Sequence, residues 1–361
     1  MYYAYNNSCN QCFFENMYGD CENGMVILSQ GMPFLENEEL FNKTVNNFST
    51  GEFSFDPVQI IKNVINIITD EVTNSREMII SILLVCVVSS ITYLMNESFK
   101  SKGAGQASFY ACFCIVCSSA IRYFSIALEY TKDVITVMST FVTKLSPLMS
   151  SMLVLSGKVT SAAAFHPVLS TGVYIVALVV ENCLLPLITY GTVLSVVNNM
   201  SSALRFSGVC KLINSTAKWV LAASFTLFSG LCGIYGFSAP ALDAMGAKTV
   251  KFAVGSLVPV VGGFVSETLE TVLGGSAMMK SIVGSAGITA ICVMSAVPAI
   301  KLSIIILMFK ICAAVTEPVT DKRISKLLWD ISGAVTMLFG MVVTFAILFI
   351  ICISIIISST R

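Results

Sequence analysis

From Ile331 to Ser358 the chain runs for 28 residues without one charged side chain. A helix rises about 1.5 Å per residue and the hydrocarbon core of a bilayer is roughly 30 Å thick, so about 20 apolar residues suffice to cross it. A run this long and this uniform is not the one-sided apolar stripe of a soluble surface helix. The whole chain of 361 residues is 55% hydrophobic and 12% charged, whereas soluble domains carry charge on about a quarter of their residues. There is too little polar surface to dissolve it. The chain reads as an all-α, polytopic helical integral membrane protein.

Other apolar stretches give about six to seven transmembrane helices over residues 78–361, with spans expected near 79–95, 108–128, 168–197, 219–237, 281–297, 299–315 and 331–358. The second is interrupted by Arg122. The third carries Glu181 and Pro186, enough for one kinked span or two broken half-helices. Trp219 opens the fourth at a depth that suits the headgroup region. Pro298 separates the fifth from the sixth, as a tight or broken pair. Residues 134–164, broken by Lys144, Pro147, Gly157 and Lys158, read as interfacial or packed helices. The stretch from Ser238 to Lys280 is rich in Gly, Pro and Ser. Its apolar piece, 252–265, is short for a span and suits a re-entrant element, which a bilayer tolerates only where protein or water covers the backbone.

Charge is unevenly spread. Residues 1–77 hold 11 acidic and 3 basic side chains, and the remainder holds 10 acidic and 18 basic. Residues 1–55 read as a poorly ordered acidic N-terminal head, beginning without the basic start and apolar run of a signal peptide. Asp56 and Pro57 then resemble an N-cap and first helical residue. Ile61, Val64, Ile65, Ile68 and Val72 follow helical spacing, so 56–77 is an amphipathic helix, packed on the body, lying on the membrane or forming the core of a small soluble head. Lys100 and Lys102 in the first loop favour the head outside and that loop inside. Arg205, Lys211 and Lys218 fall inside on the same count. The loop with Lys322, Arg323 and Lys326 follows them only if 252–265 crosses. Basic residues scattered between apolar runs fit membrane orientation, not nucleic acid.

Catalytic and metal chemistry is poorly served. His166 is the sole histidine, so a zinc-protease helix is impossible and any triad would depend on that residue. Its place beside Pro167 before an apolar run suits an interface residue. Ser156, Gly157, Lys158 and Thr160 echo a phosphate loop, but Met152 stands where the first glycine is required. Cys9 and Cys12 form a C-x-x-C pair without a second pair or neighbouring His, more in keeping with a local disulfide or no bond than with a metal. No catalytic residue, metal or cofactor is expected, and the chain is read as not an enzyme. The ionisable groups at membrane depth are Arg122, Glu181, Lys301 and Lys310; such groups usually face protein or a wet cavity. Three lie near segment ends, where they can snorkel, leaving Glu181 as the candidate interior site. Gly230, Gly233 and Gly236, and the cluster from Gly284 to Ala290, suit close helix packing or, more sharply, a water-lined path.

Distributed motifs carry a resemblance. Ser156-Gly157-Lys158 through Phe165 and Pro167, Leu185-Pro186-Leu187, Asp243 with Lys248, Lys251 and Phe252, Pro259 to Gly262 and Gly263, Gly274-Gly275 to Lys280 and Gly284, and Glu317-Pro318 followed by Asp321 and Arg323 together resemble the stage III sporulation protein AE family over roughly residues 55–361. The resemblance implies a multi-pass membrane component of the secretion-like channel that joins mother cell and forespore, needed for spore development after engulfment. It implies the mother-cell-derived outer forespore membrane as the location. The partners it implies are membrane lipids, other stage III A proteins including the ATPase subunit, and stage II sporulation protein Q. The alternative, from the residues alone, is an autonomous secondary transporter or permease with Glu181 as the coupling carboxylate.

Overall fold

The computed structural model describes residues 102–155, 158–200, 206–257, 262–318 and 320–358, with ten isolated helical positions between 65 and 91. Between 236 and 286 only the backbone path is described. The expected acidic head, most of the amphipathic helix 56–77, and Gly157 and Pro259 lie outside the described residues. Among those residues the regular elements are helices: α1 (Lys102–Leu155), α2 (Val159–Val179), a π turn (Val180–Leu184), α3 (Leu185–Met200), α4 (Ser207–Leu257), α5 (Gly262–Thr316) and α6 (Lys322–Ser358). The π turn joins α2 to α3 without a break, and five of the resulting rods are long and apolar enough to cross a membrane.

These helices run through prolines, two of which, Pro147 and Pro298, the sequence pattern marks as breaks. Pro147 lies inside α1, Pro167 inside α2 and Pro298 inside α5, so the spans expected near 281–297 and 299–315 are one helix. The stretch expected as separate packed helices from residue 134 is largely the continuation of α1. A helical proline forfeits one backbone hydrogen bond. A loop at the same depth would strip several backbone groups of partners in a medium that offers none, so continuing the helix costs less. Pro186 shows a local remedy. The chain widens to a π turn just before it, and the Leu185 amide donates to the Val180 carbonyl, five residues back. A π bulge of this kind absorbs the mismatch that a ring imposes on the helical ladder.

The bundle is organised around α6, which packs against each of the other long rods. Its Leu327, Leu328, Ile331, Val335, Leu338, Val342 and Phe349 are wholly buried. They follow the three- and four-residue spacing of a helix, but buried stripes on several sides leave little of α6 uncovered. The outer surface is apolar too: Leu212, Trp219, Leu227 and Ile234 on α4 are each about two-thirds exposed. Such a surface calls for lipid. Hydroxyls at this depth donate back into their own helices, as when Thr131 bonds to Ala127, Thr192 to Ile188 and Thr226 to Ala222, which satisfies them without water.

Among the described residues, three glycines lie tight against a side chain of a neighbouring helix. A Cβ on Gly172 would collide with the ring of Phe228 on α4, one on Gly191 would stand 2.9 Å from Ile213, and one on Gly287 2.9 Å from Leu145 of α1. Gly230 and Gly233, for which helix packing is the ordinary meaning, have nothing within 4 Å of that point. A buried thiol pair, Cys232 and Cys352, adds a hydrogen bond of 3.0 Å between α4 and α6.

Phe228 is only 3% exposed, so its ring has little room to retreat from a new methyl group. Gly172→Ala should lower the stability of the detergent-solubilised protein by about 1–3 kcal/mol, read as a lower melting temperature. Phe228→Leu in the same chain should recover part of the loss.

Candidate functional site

One end of the bundle gathers most of its chemistry. The last residues of α3 and α5 and the first residues of α1, α4 and α6 meet there, as shown by the contact of Arg323 with Phe109 and of Asp330 with Asn199. The basic residues Lys211, Lys322, Arg323 and Lys326 therefore share an end. The Lys322 segment does not need a crossing at 252–265 to join Lys211, because α5 is one rod where two spans are expected from the sequence.

The turn from α5 to α6 is built by capping. Pro318 cannot continue α5, and the turn closes with the Glu317 amide donating to Ala313 and the Thr320 amide to Thr316. Ser325 reaches back across the hairpin, its buried hydroxyl donating to the Ala313 carbonyl at 2.9 Å, an acceptor it shares with the Glu317 amide and the Thr316 hydroxyl. Asp321 caps α6, accepting the Arg323 amide at 2.9 Å and the Arg323 side chain through both carboxylate oxygens. The loop expected around Lys322, Arg323 and Lys326 is therefore helical from Lys322. The guanidinium also lies 3.8 Å from the Phe109 ring centroid, close enough for a cation–π contact that ties the start of α1 to the start of α6.

Two turns deeper, Asp330 is the polar hub. One of its oxygens accepts from the Ser195 hydroxyl and from the Asn199 side-chain amide, both at 2.7 Å. Ser195 and Asn199 are four residues apart, so α3 presents both from one face. Asn199 is 2% exposed, and charge-assisted bonds of this length are among the stronger ones available. Asn198 next to it accepts the Phe206 amide and shapes the turn into α4. Sequence reading leaves Asp330 at the edge of a loop. The available signal was its position as the last charge before an uninterrupted apolar run.

Beside the hub lies a cavity of about 510 Å³ bounded by α4, α5, α6 and the start of α3, with Asn214, Lys218, Lys310, Trp329, Gly333 and Gly340 among its lining. Lys310 is the one ionisable sequence candidate that reaches it. Lys301 lies elsewhere, its ammonium 5.4 Å from the Tyr130 ring centroid, and Arg122 is exposed on α1. Glu181, expected to face the interior, is exposed on the π turn, because widening the helix there turns Val180 and Leu184 inward. Ser146 and His166 lie 2.9 Å apart, joining α1 to α2; the serine is buried and the imidazole exposed.

Phe165 is buried in α2 and Pro167 exposed beside it; Pro186 is half-buried in α3, and Pro318 is exposed in the turn. Asp243, Lys248 and Lys251 lie in the second half of α4, and Gly262, Gly263, Gly275, Lys280 and Gly284 in the first half of α5. Among the described residues no cluster of three metal-ligating side chains occurs.

The model of the family described as stage III sporulation protein AE matches residues 40–360. The chain belongs to the stage III sporulation protein AE family. It is also similar to the stage III sporulation protein AE of Bacillus subtilis (strain 168), with 27% identity over 312 residues, covering 86% of this chain and 78% of that protein. No solved structure matches. The family match includes the α5–α6 turn, Asp330 and the residues around the cavity.

Asp330→Ala strands the donors of Ser195 and Asn199, and should cost about 1–3 kcal/mol in detergent; Asp330→Asn keeps an acceptor and should cost less. A second prediction concerns pH. Burial works to raise the Asp321 carboxyl, but the hydrogen bonds and charge of Arg323 outweigh it and hold the group below its ordinary value of 3.8. The carboxylate's stabilisation is then complete above that value and lost as pH falls through the lower, folded one. Melting temperatures of the parent and of Asp321→Asn should differ at neutral pH and converge at strongly acid pH.

Proposed function

We propose that this chain is a non-catalytic membrane subunit of the sporulation channel between mother cell and forespore, acting as a scaffold or permease-like component. The observation that carries this reading is the family match across nearly the whole chain. Membership supports a role in sporulation, and five rods able to cross a bilayer support a membrane location. Ile80, Leu84, Val87, Val88 and Ile91 are helical and exposed, which supports a sixth span near 79–95. The shared basic end faces the cytoplasm on this reading, by the excess of Lys and Arg that marks cytoplasmic loops, and the acidic head then lies across the membrane from it. The other stage III A proteins, the ATPase subunit among them, and stage II sporulation protein Q are the partners proposed, in the outer forespore membrane. The transporter alternative needs Glu181 inside the bundle, and its exposure on the π turn does not favour that.

Deleting the gene in its host should arrest sporulation after engulfment and leave vegetative growth unchanged, scored by heat-resistant spore counts and by microscopy of engulfed forespores. Normal spore yield in the deletion strain would sink the proposal.

A further inference from the structure

α4 and α5 scarcely touch within the described bundle, and the cavity beside Asp330 occupies the gap between them, with α6 as its back wall. Its residues are graded along the bundle. Lys310 lies six residues before the end of α5, Trp329 seven after the start of α6 and Lys218 eleven after the start of α4, so all three stand roughly 9–17 Å from the polar end at 1.5 Å per residue. All three are exposed. Deeper in lie Leu184, Ile188, Leu221 and Met341, at roughly 18–30 Å on the same scale. Along that depth Gly333 and Gly340 leave open space, with nothing within 4 Å of where a Cβ would stand.

The two ammonium groups are available. Among the described residues neither Lys218 nor Lys310 has a hydrogen-bond or ion-pair partner. Asp330, next to Trp329, has its bonded oxygen committed to Ser195 and Asn199 on α3. Unpaired cations at this depth are costly, and long lysine stems can carry them toward the headgroups. Trp at the mouth suits the same level. Two cations and an indole above an apolar slot that opens sideways between helices have the polarity profile of one kind of molecule: an anionic head with a hydrocarbon tail.

We propose that the cavity is a binding site for an anionic phospholipid, with Lys218 and Lys310 holding the phosphate beneath Trp329 and an acyl chain lying along Gly333 and Gly340. Basic pockets between membrane helices are a known way to recognise such headgroups, and a volume of about 510 Å³ lies within the ordinary range for small-molecule sites, roughly 300–1,000 Å³. The inference stands on the cavity and the membrane-facing surface and does not depend on the proposed channel role.

The full chain, reconstituted in vesicles with spin-labelled phosphatidylglycerol or phosphatidylcholine, reports the fraction of each lipid immobilised by the protein. The parent should favour phosphatidylglycerol several-fold. The pair Lys218→Gln and Lys310→Gln should bring that preference close to one, whereas Lys211→Gln, outside the cavity, should leave it unchanged. Gly340→Leu fills the slot without altering charge and should also lower the preference, provided the variant elutes and melts like the parent. A preference that survives the double lysine change would overturn the proposal. So would displacement of the lipid by inorganic phosphate alone, which would mark a site for small anions.

Discussion

Everything in this bundle leans on α6 and on the turn that delivers it. Asp321 caps the helix, Ser325 bonds back to the end of α5, and Arg323 rests on Phe109 of α1. With its first turn fixed from two sides, α6 enters the bundle at a set angle and offers its buried residues to every other rod. Helices in lipid gain little from hydrophobic attraction, because the surrounding tails are as apolar as leucine. Close contact and a few polar bonds must select the arrangement, and the α5–α6 hairpin supplies both.

The same scarcity of partners explains the length of the helices. An open backbone in hydrocarbon loses several kcal/mol for each unmatched group, so the chain carries prolines inside helices and confines its turns to the ends. Polar side chains follow one of two courses. Many hydroxyls fold back onto their own helix, and others bond between helices, as Ser195 and Asn199 do with Asp330 and Ser325 does with Ala313. Lys218 and Lys310 follow neither course, which is what sets their cavity apart.

Helical membrane class was legible in the sequence because it depends on composition and run length, which survive any error of boundary. The family was legible from motifs spread over the body. Helix ends were less so. Pro298 and Pro147 carry the ordinary signal for a break, and nothing in a linear pattern tells whether the alternative loop would be wet or dry. Asp330 escaped notice because its meaning depends on Ser195 and Asn199, more than a hundred residues earlier. Glu181 drew attention as a charge in an apolar run, yet which way it faces is set by a π turn that no periodicity announces. Gly172, which meets Phe228, and Gly233, which meets nothing, look alike until their neighbours are known.

Helix α1 has 54 residues and so extends about 81 Å at 1.5 Å per residue, against a hydrocarbon core of roughly 30 Å that helices cross at tilts of about 20°. No such tilt hides it. Its charges Glu129, Lys132, Asp133 and Lys144 are exposed, and past them it is joined to α2 through Ser146 and His166. From Phe109 to Ser146 the backbone is one uninterrupted rod, so α1 ties the Arg323 contact at the basic end to the His166 contact with α2, roughly 55 Å away at 1.5 Å per residue.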